Sequence, residues 1–167
     1  MIIFKIILTS DAEFFRYNIK SLYTTLFLWS LDASILDWAF FKWISMSTLL
    51  LITSAPTSIY AWHALGLAQA LHAKNRAFRV FFYQDGVAVA NALQWVPDDQ
   101  RNLTEEWQKL AIRLPVCVSA ALARGISDEE NAKRHQISQH NLAQGFELVG
   151  LGELADAVQS TQRLIQF

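Results

Sequence analysis

From residue 47 onward the apolar residues change period several times, and each change marks an element. Ser47–Ser54, STLLLITS, is a short and nearly unbroken apolar run, as expected of a strand buried on both faces. Ala55–Ser58, with its proline, breaks the run, and Ser58 stands where a helix cap belongs. Ile59, Trp62, Leu65 and Ala68, then Leu71, repeat at helical spacing, and Lys74 and Arg76 close the segment at the end the helix dipole favours for cations. FRVFFY (Phe78–Tyr83) predicts a second strand, Gln84-Asp85-Gly86 a turn, and Val87–Trp95 a short helix. Past Pro97, Thr104 is the expected cap of a helix running to Leu114, stopped by Pro115. Val116–Ala120 reads as the third strand. Ser127 with the acids after it opens another helix, Phe146–Gly150 is a fourth strand, Leu151–Ser160 a helix and Arg163–Phe167 a last strand.

The order β-α-β-α-α-β-α-β-α-β predicts an α/β fold: a three-layer, Rossmann-like domain around a mainly parallel five-stranded sheet. In such sheets ligands sit at the C-terminal ends of the strands. The loops of interest are therefore Thr53–Ser58, Tyr83–Gly86 and the stretch after Val116–Ala120.

Composition changes this picture at one end. Residues 1–45 hold no Gly and no Pro, yet are dense in aromatics such as Phe14, Phe15, Trp29, Trp38 and Trp43. Turns are built largely from Gly, Pro, Asn and Asp, so the segment lacks the usual punctuation of a fold. Its best apolar run, Leu22–Leu31, stops at Asp32, short of the roughly 20 residues a membrane span needs. No signal-peptide pattern is evident. Residues 1–45 are read as an N-terminal extension outside the fold, either upstream sequence before a start at Met46 or an amphipathic segment. The domain is expected over 46–167. Fourteen Lys and Arg are scattered against fifteen Asp and Glu, for a net charge of −1, so direct nucleic-acid binding is not expected.

The common chemical motifs do not occur. There is no Gly-x-Gly-x-x-Gly after a strand and no phosphate-binding Gly-rich loop with Lys. His135 and His140 have no partner at a metal-ligand spacing, so neither metal nor cofactor is expected. The acidic pairs read as caps and solvated faces. One residue remains: Cys117, the single cysteine of the chain. A lone thiol forms no internal disulfide and fits a reducing cytoplasm. Free cysteine often packs as a small hydrophobe, which is the structural alternative. The functional one is a nucleophile near the ligand edge of the sheet, its thiolate stabilised by backbone N–H groups of a following turn and by Arg124 folding back. With no dependable His base beside it, a protease-like triad is not the natural use; acceptance and release of a sulfane sulfur is. Tyr83 and Asp85 either line the same pocket or form a plain strand-to-helix turn.

Four segments carry a resemblance: FFYQDGVAVAN (81–91), VCVSAALARGI (116–126), NLAQGFELVGLGELADA (141–157) and RLIQF (163–167). In this order they resemble the DsrE-like sulfurtransferases, and within them the TusD branch. The resemblance implies that Cys117 is the catalytic, persulfide-forming residue. It also implies a heterohexamer with TusB-like and TusC-like subunits, a TusA-like sulfur donor and a TusE-like acceptor, and an end use in 2-thiolation of the tRNA wobble uridine. The loop after the first strand has Pro56 but no Gly, unlike the Gly-Pro-rich loop of many members. Two alternatives stand beside this reading: a DsrE-type subunit for sulfur oxidation, and a non-catalytic scaffold subunit with Cys117 inert.

Overall fold

The structure is a computed structural model and describes residues 47–167; the extension expected at 1–45 lies outside the described residues. The short apolar runs become strands: β1 (Thr48–Ile52), β2 (Phe78–Phe82), β3 (Leu114–Cys117), β4 (Phe146–Val149) and β5 (Arg163–Gln166). They form one sheet in the order β4-β3-β2-β1-β5, with every neighbouring pair parallel. The helices between them are α1 (Ile59–Ala73), α2 (Leu103–Gln108), α3 (Val118–Leu122), α4 (Glu129–His135) and α5 (Leu151–Ser160), with a 3-10 helix over Gln84–Ala90.

The steps from β1 to β4 cross the sheet in one direction, and the return to β5 runs the other way. Right-handed crossovers then put α5 on the opposite face from the earlier helices. Alternation along β2 agrees. Phe82 meets the ring of Trp107 on α2 edge-on, with centroids 5.3 Å apart, and Phe146 at 5.4 Å. Arg79, of opposite parity, reaches the other way and donates to Ser160 Oγ of α5 at 3.0 Å. The expected three layers are present, and the core is completed by Leu50, Ile52, Leu65, Phe81, Leu114 and Val116, all buried.

Several boundaries differ from the sequence expectation. The second helix does not run to Leu114. It ends at Gln108, Ala111 turns the chain with φ 51°, and Leu114 and Pro115 belong to β3. Pro115 has no N–H to give, and the register with β2 is formed only past it, at Phe82↔Val116. The helix expected over Val87–Trp95 is a 3-10 helix that starts earlier and stops at Ala90. There Asn91 Oδ1 accepts the N–H of Leu93 at 3.0 Å and turns the chain away. Two caps also move. Asn102, not Thr104, caps α2, while the Thr104 hydroxyl donates to Val89 O at 2.6 Å; Asp128, not Ser127, caps α4. Ser58 caps α1 as expected.

One cluster of ion pairs centres on Arg113, the residue before β3. Arg113 Nε donates to Glu147 at 2.8 Å, and its terminal nitrogens to Glu153. The hydrogen bond from Arg113 holds the Glu147 carboxyl below its ordinary range. Lys109, then Arg101, does the same to Glu106. A carboxylate lowered in the folded state stabilises above its unfolded pKa, and that contribution is lost as pH falls through the folded value. Glu147→Gln should therefore cost about half a kcal/mol at pH 7, small because the pair is half-exposed. The deficit should shrink as pH falls below the ordinary glutamate range and vanish once the folded carboxyl is itself protonated. Urea melts of both chains at neutral and at acid pH check this; an unchanged deficit at low pH would refute the assignment.

Candidate active site

Three chain segments meet at the C-terminal edge of β1, β2 and β3. The first is the loop after β1, held by Thr53 and Ser54, whose N–H groups donate to Phe167 O at 2.8 and 3.1 Å. The second is the 3-10 helix after β2. Its entry is tight: Tyr83 N–H donates to Ile52 O at 2.8 Å, Gln84 takes φ 48°, and Gly86 N–H donates to Thr53 O at 3.2 Å. Non-glycine residues rarely adopt that φ, so the backbone is strained where it leaves β2. Gly86 is there for space, since a Cβ on it would stand 2.2 Å from Ile52 O.

The third segment carries the thiol. Cys117 is the last residue of β3, paired in register with Val149, and the next residue begins α3. The sequence expectation carried the strand on to Ala120; the chain instead turns helical directly after the cysteine, which puts Cys117 at the sheet edge and at the cap position of α3. Its side chain makes no capping hydrogen bond. The residue is 1% exposed.

Arg124 does fold back, but its hydrogen bonds do not go to the thiol. Its Nε and Nη2 donate to Asp85 Oδ1 at 3.1 and 2.6 Å, and Nη1 donates to Ala120 O at 3.1 Å. Asp85 is thus neither a cap nor a buried pocket wall; it is an exposed carboxylate that ties the 3-10 helix to the end of α3. Tyr83 makes no capping hydrogen bond with its side chain. Behind these segments lies a polar knot the sequence did not announce. Asn141 Nδ2 donates to Asn91 Oδ1, Asn141 Oδ1 accepts from Ser127 N–H, and Ser127 O accepts from the N–H groups of Asn141 and Leu142. Its members are up to 50 residues apart, so no local pattern could reveal it.

The arrangement is one thiol at the ligand edge of a parallel sheet, with no histidine bonded to it. A family model for the DsrE/DsrF-like family matches residues 46–167. The chain belongs to this family. Among DsrE/DsrF-like relatives, the Sulfurtransferase TusD homolog of Vibrio vulnificus is 43% identical over 131 residues, which is 73% of this chain and all of that protein. The Sulfurtransferase TusD homolog of Aliivibrio fischeri is 45% identical over 109 residues, 62% of this chain and 84% of that protein. The Sulfurtransferase TusD of Serratia proteamaculans is 47% identical over 109 residues, with the same shares. The crystal structure of the ychN protein from E. coli superposes with a TM-score of 0.58 at 24% identity, over 73% of this chain and all of that one, and so shares the fold. Among the described residues no helix is long and apolar enough to cross a membrane.

Proposed function

We propose that this chain is a TusD-type sulfurtransferase of a sulfur relay that carries sulfur as a persulfide on Cys117. The observation that supports the reading most directly is the position of the chain's single thiol at the C-terminal end of β3, in a chain whose relatives are named sulfurtransferases. The step is redox-neutral. The Cys117 thiolate attacks the outer sulfur of a donor persulfide, the donor's S–S bond breaks, and the donor leaves as a thiolate with the electron pair. The acceptor's thiolate then attacks the outer sulfur of the Cys117 persulfide and restores the Cys117 thiolate. No metal or cofactor enters. The proposal extends to a TusA-like donor, a TusE-like acceptor, TusB-like and TusC-like companions in a cytoplasmic heterohexamer, and 2-thiolation of the tRNA wobble uridine as the end of the relay. It also takes 46–167 as the sulfurtransferase domain and 1–45 as an extension outside it.

Intact mass spectrometry of the chain with its companion subunits tests this, after incubation with a persulfide donor. One added sulfur, about 32 Da, removed by reductant, is the expected result. A second reading has its own support: at 1% exposure Cys117 can be a core atom of a scaffold subunit. The absence of any adduct would select it.

A further inference from the structure

Cys117 is 1% exposed, yet sulfur transfer requires a partner's thiol to reach it. Something next to the thiol must move. β3 pairs with β4 along all four of its residues and with β2 at Val116, whereas α3 is held lightly: of its five residues only Ala121 is buried. Immediately beyond it Gly125 has φ 71°, with nothing within 4 Å of where a Cβ would lie. The 3-10 helix and α3 pack on each other and on β3. What fastens their outer ends is Arg124, with its two hydrogen bonds to Asp85 Oδ1 and one to Ala120 O. The side chains of this ion pair are 36% and 66% exposed, so it is worth little and breaks readily in water.

We propose that α3 is a flap beside Cys117 and that the Arg124–Asp85 ion pair is its latch. Local opening of such a weakly packed segment is a distinct, low-energy event and need not involve the sheet. The purpose of the latch rests on the sulfur-carrier reading; its existence does not, and the test below needs no sulfur transfer.

Because the chain has one cysteine, every alkylation of the full chain reports Cys117. Iodoacetamide labelling followed by intact mass gives the rate at which the thiol is uncovered. For modification through an opening, the rate scales with the open population, so losing an exposed ion pair should raise it about two- to five-fold. Asp85→Asn and Arg124→Gln should each do so. Raising salt from low to molar concentration should speed the wild-type chain by a similar factor and leave both variants nearly unchanged. The charge-swapped double variant, Asp85→Arg with Arg124→Asp, should return toward the wild-type rate. Lys133→Gln, which breaks a more exposed pair on α4 away from the thiol, should change nothing. The latch is overturned if the single variants label at the wild-type rate, if the swap stays as fast as the singles, if Lys133→Gln accelerates labelling equally, or if the wild-type thiol already reacts as fast as in the urea-unfolded chain. A working latch in a chain that never gains sulfur would refute the carrier reading alone.

Discussion

On the carrier reading proposed above, a Cys117→Ala chain will fold and gain no sulfur. The alanine variant is the more informative one because of where the thiol sits. At a site 1% exposed, serine would bury a hydroxyl with no partner, at a cost of about 1–3 kcal/mol. Alanine leaves only a small void in place of one sulfur atom, worth about 1 kcal/mol. Loss of the sulfur adduct with a thermal midpoint lowered by only about 3–5 °C therefore separates chemistry from folding. On the same reading, transfer to an acceptor should drop to the uncatalysed background, since the proposed covalent route needs this nucleophile. An adduct of one sulfur on Cys117→Ala, measured beside the wild type in the same donor reaction, would disprove the assignment.

Gly86→Ala will be the most damaging single methyl in this part of the protein. The new Cβ would lie 2.2 Å from Ile52 O and 2.8 Å from Ile52 C, both backbone atoms at the end of β1. Neither can rotate away as a side-chain tip would. The same carbonyl accepts the Tyr83 N–H, so the 3-10 helix must lift and strain or lose that bond. Forced overpacking against backbone costs about 3 kcal/mol. Urea denaturation gives the stability loss. Iodoacetamide labelling under native conditions should show Cys117 uncovered as well, because the displaced helix carries Asp85. A loss under 1 kcal/mol would mean the segment yields more easily than its hydrogen bonds imply.

The layered fold is legible in the amino-acid order because buried parallel strands advertise themselves. STLLLITS and FRVFFY are too apolar for a surface and too short for a helix, and the segments between them carry helical spacing or caps. What misleads is local pattern that tertiary contacts override. Leu110 and Leu114 continue the helical spacing of Leu103 and Trp107 on α2, but Ala111 turns left-handed and hands Leu114 and Pro115 to the sheet. Val87–Trp95 looks helical, but the close approach of Gly86 to Ile52 tightens the segment into a 3-10 turn that Asn91 then ends. Cys117 stands at the strand end because the chain turns helical at Val118, so that the strand stops three residues short of the end that the apolar run suggests. Its burial and the pairing of Asp85 with Arg124, 39 residues on, depend on distant segments meeting and are invisible along the chain.

The placement of β5 has a consequence for synthesis. Strands β1 to β4 can pair in the order in which they leave the ribosome, each beside the one before it. Among the described residues, the other edge of β1 gains its strand neighbour only with Arg163–Gln166, more than a hundred residues after Thr48. For most of translation the nascent chain therefore presents Leu49, Leu50 and Leu51 along an open strand edge, the kind of surface that pairs with foreign strands. A ribosome stalled before codon 163 should yield a chain prone to aggregate, and a synthetic peptide spanning β5, added in trans, should suppress that aggregation.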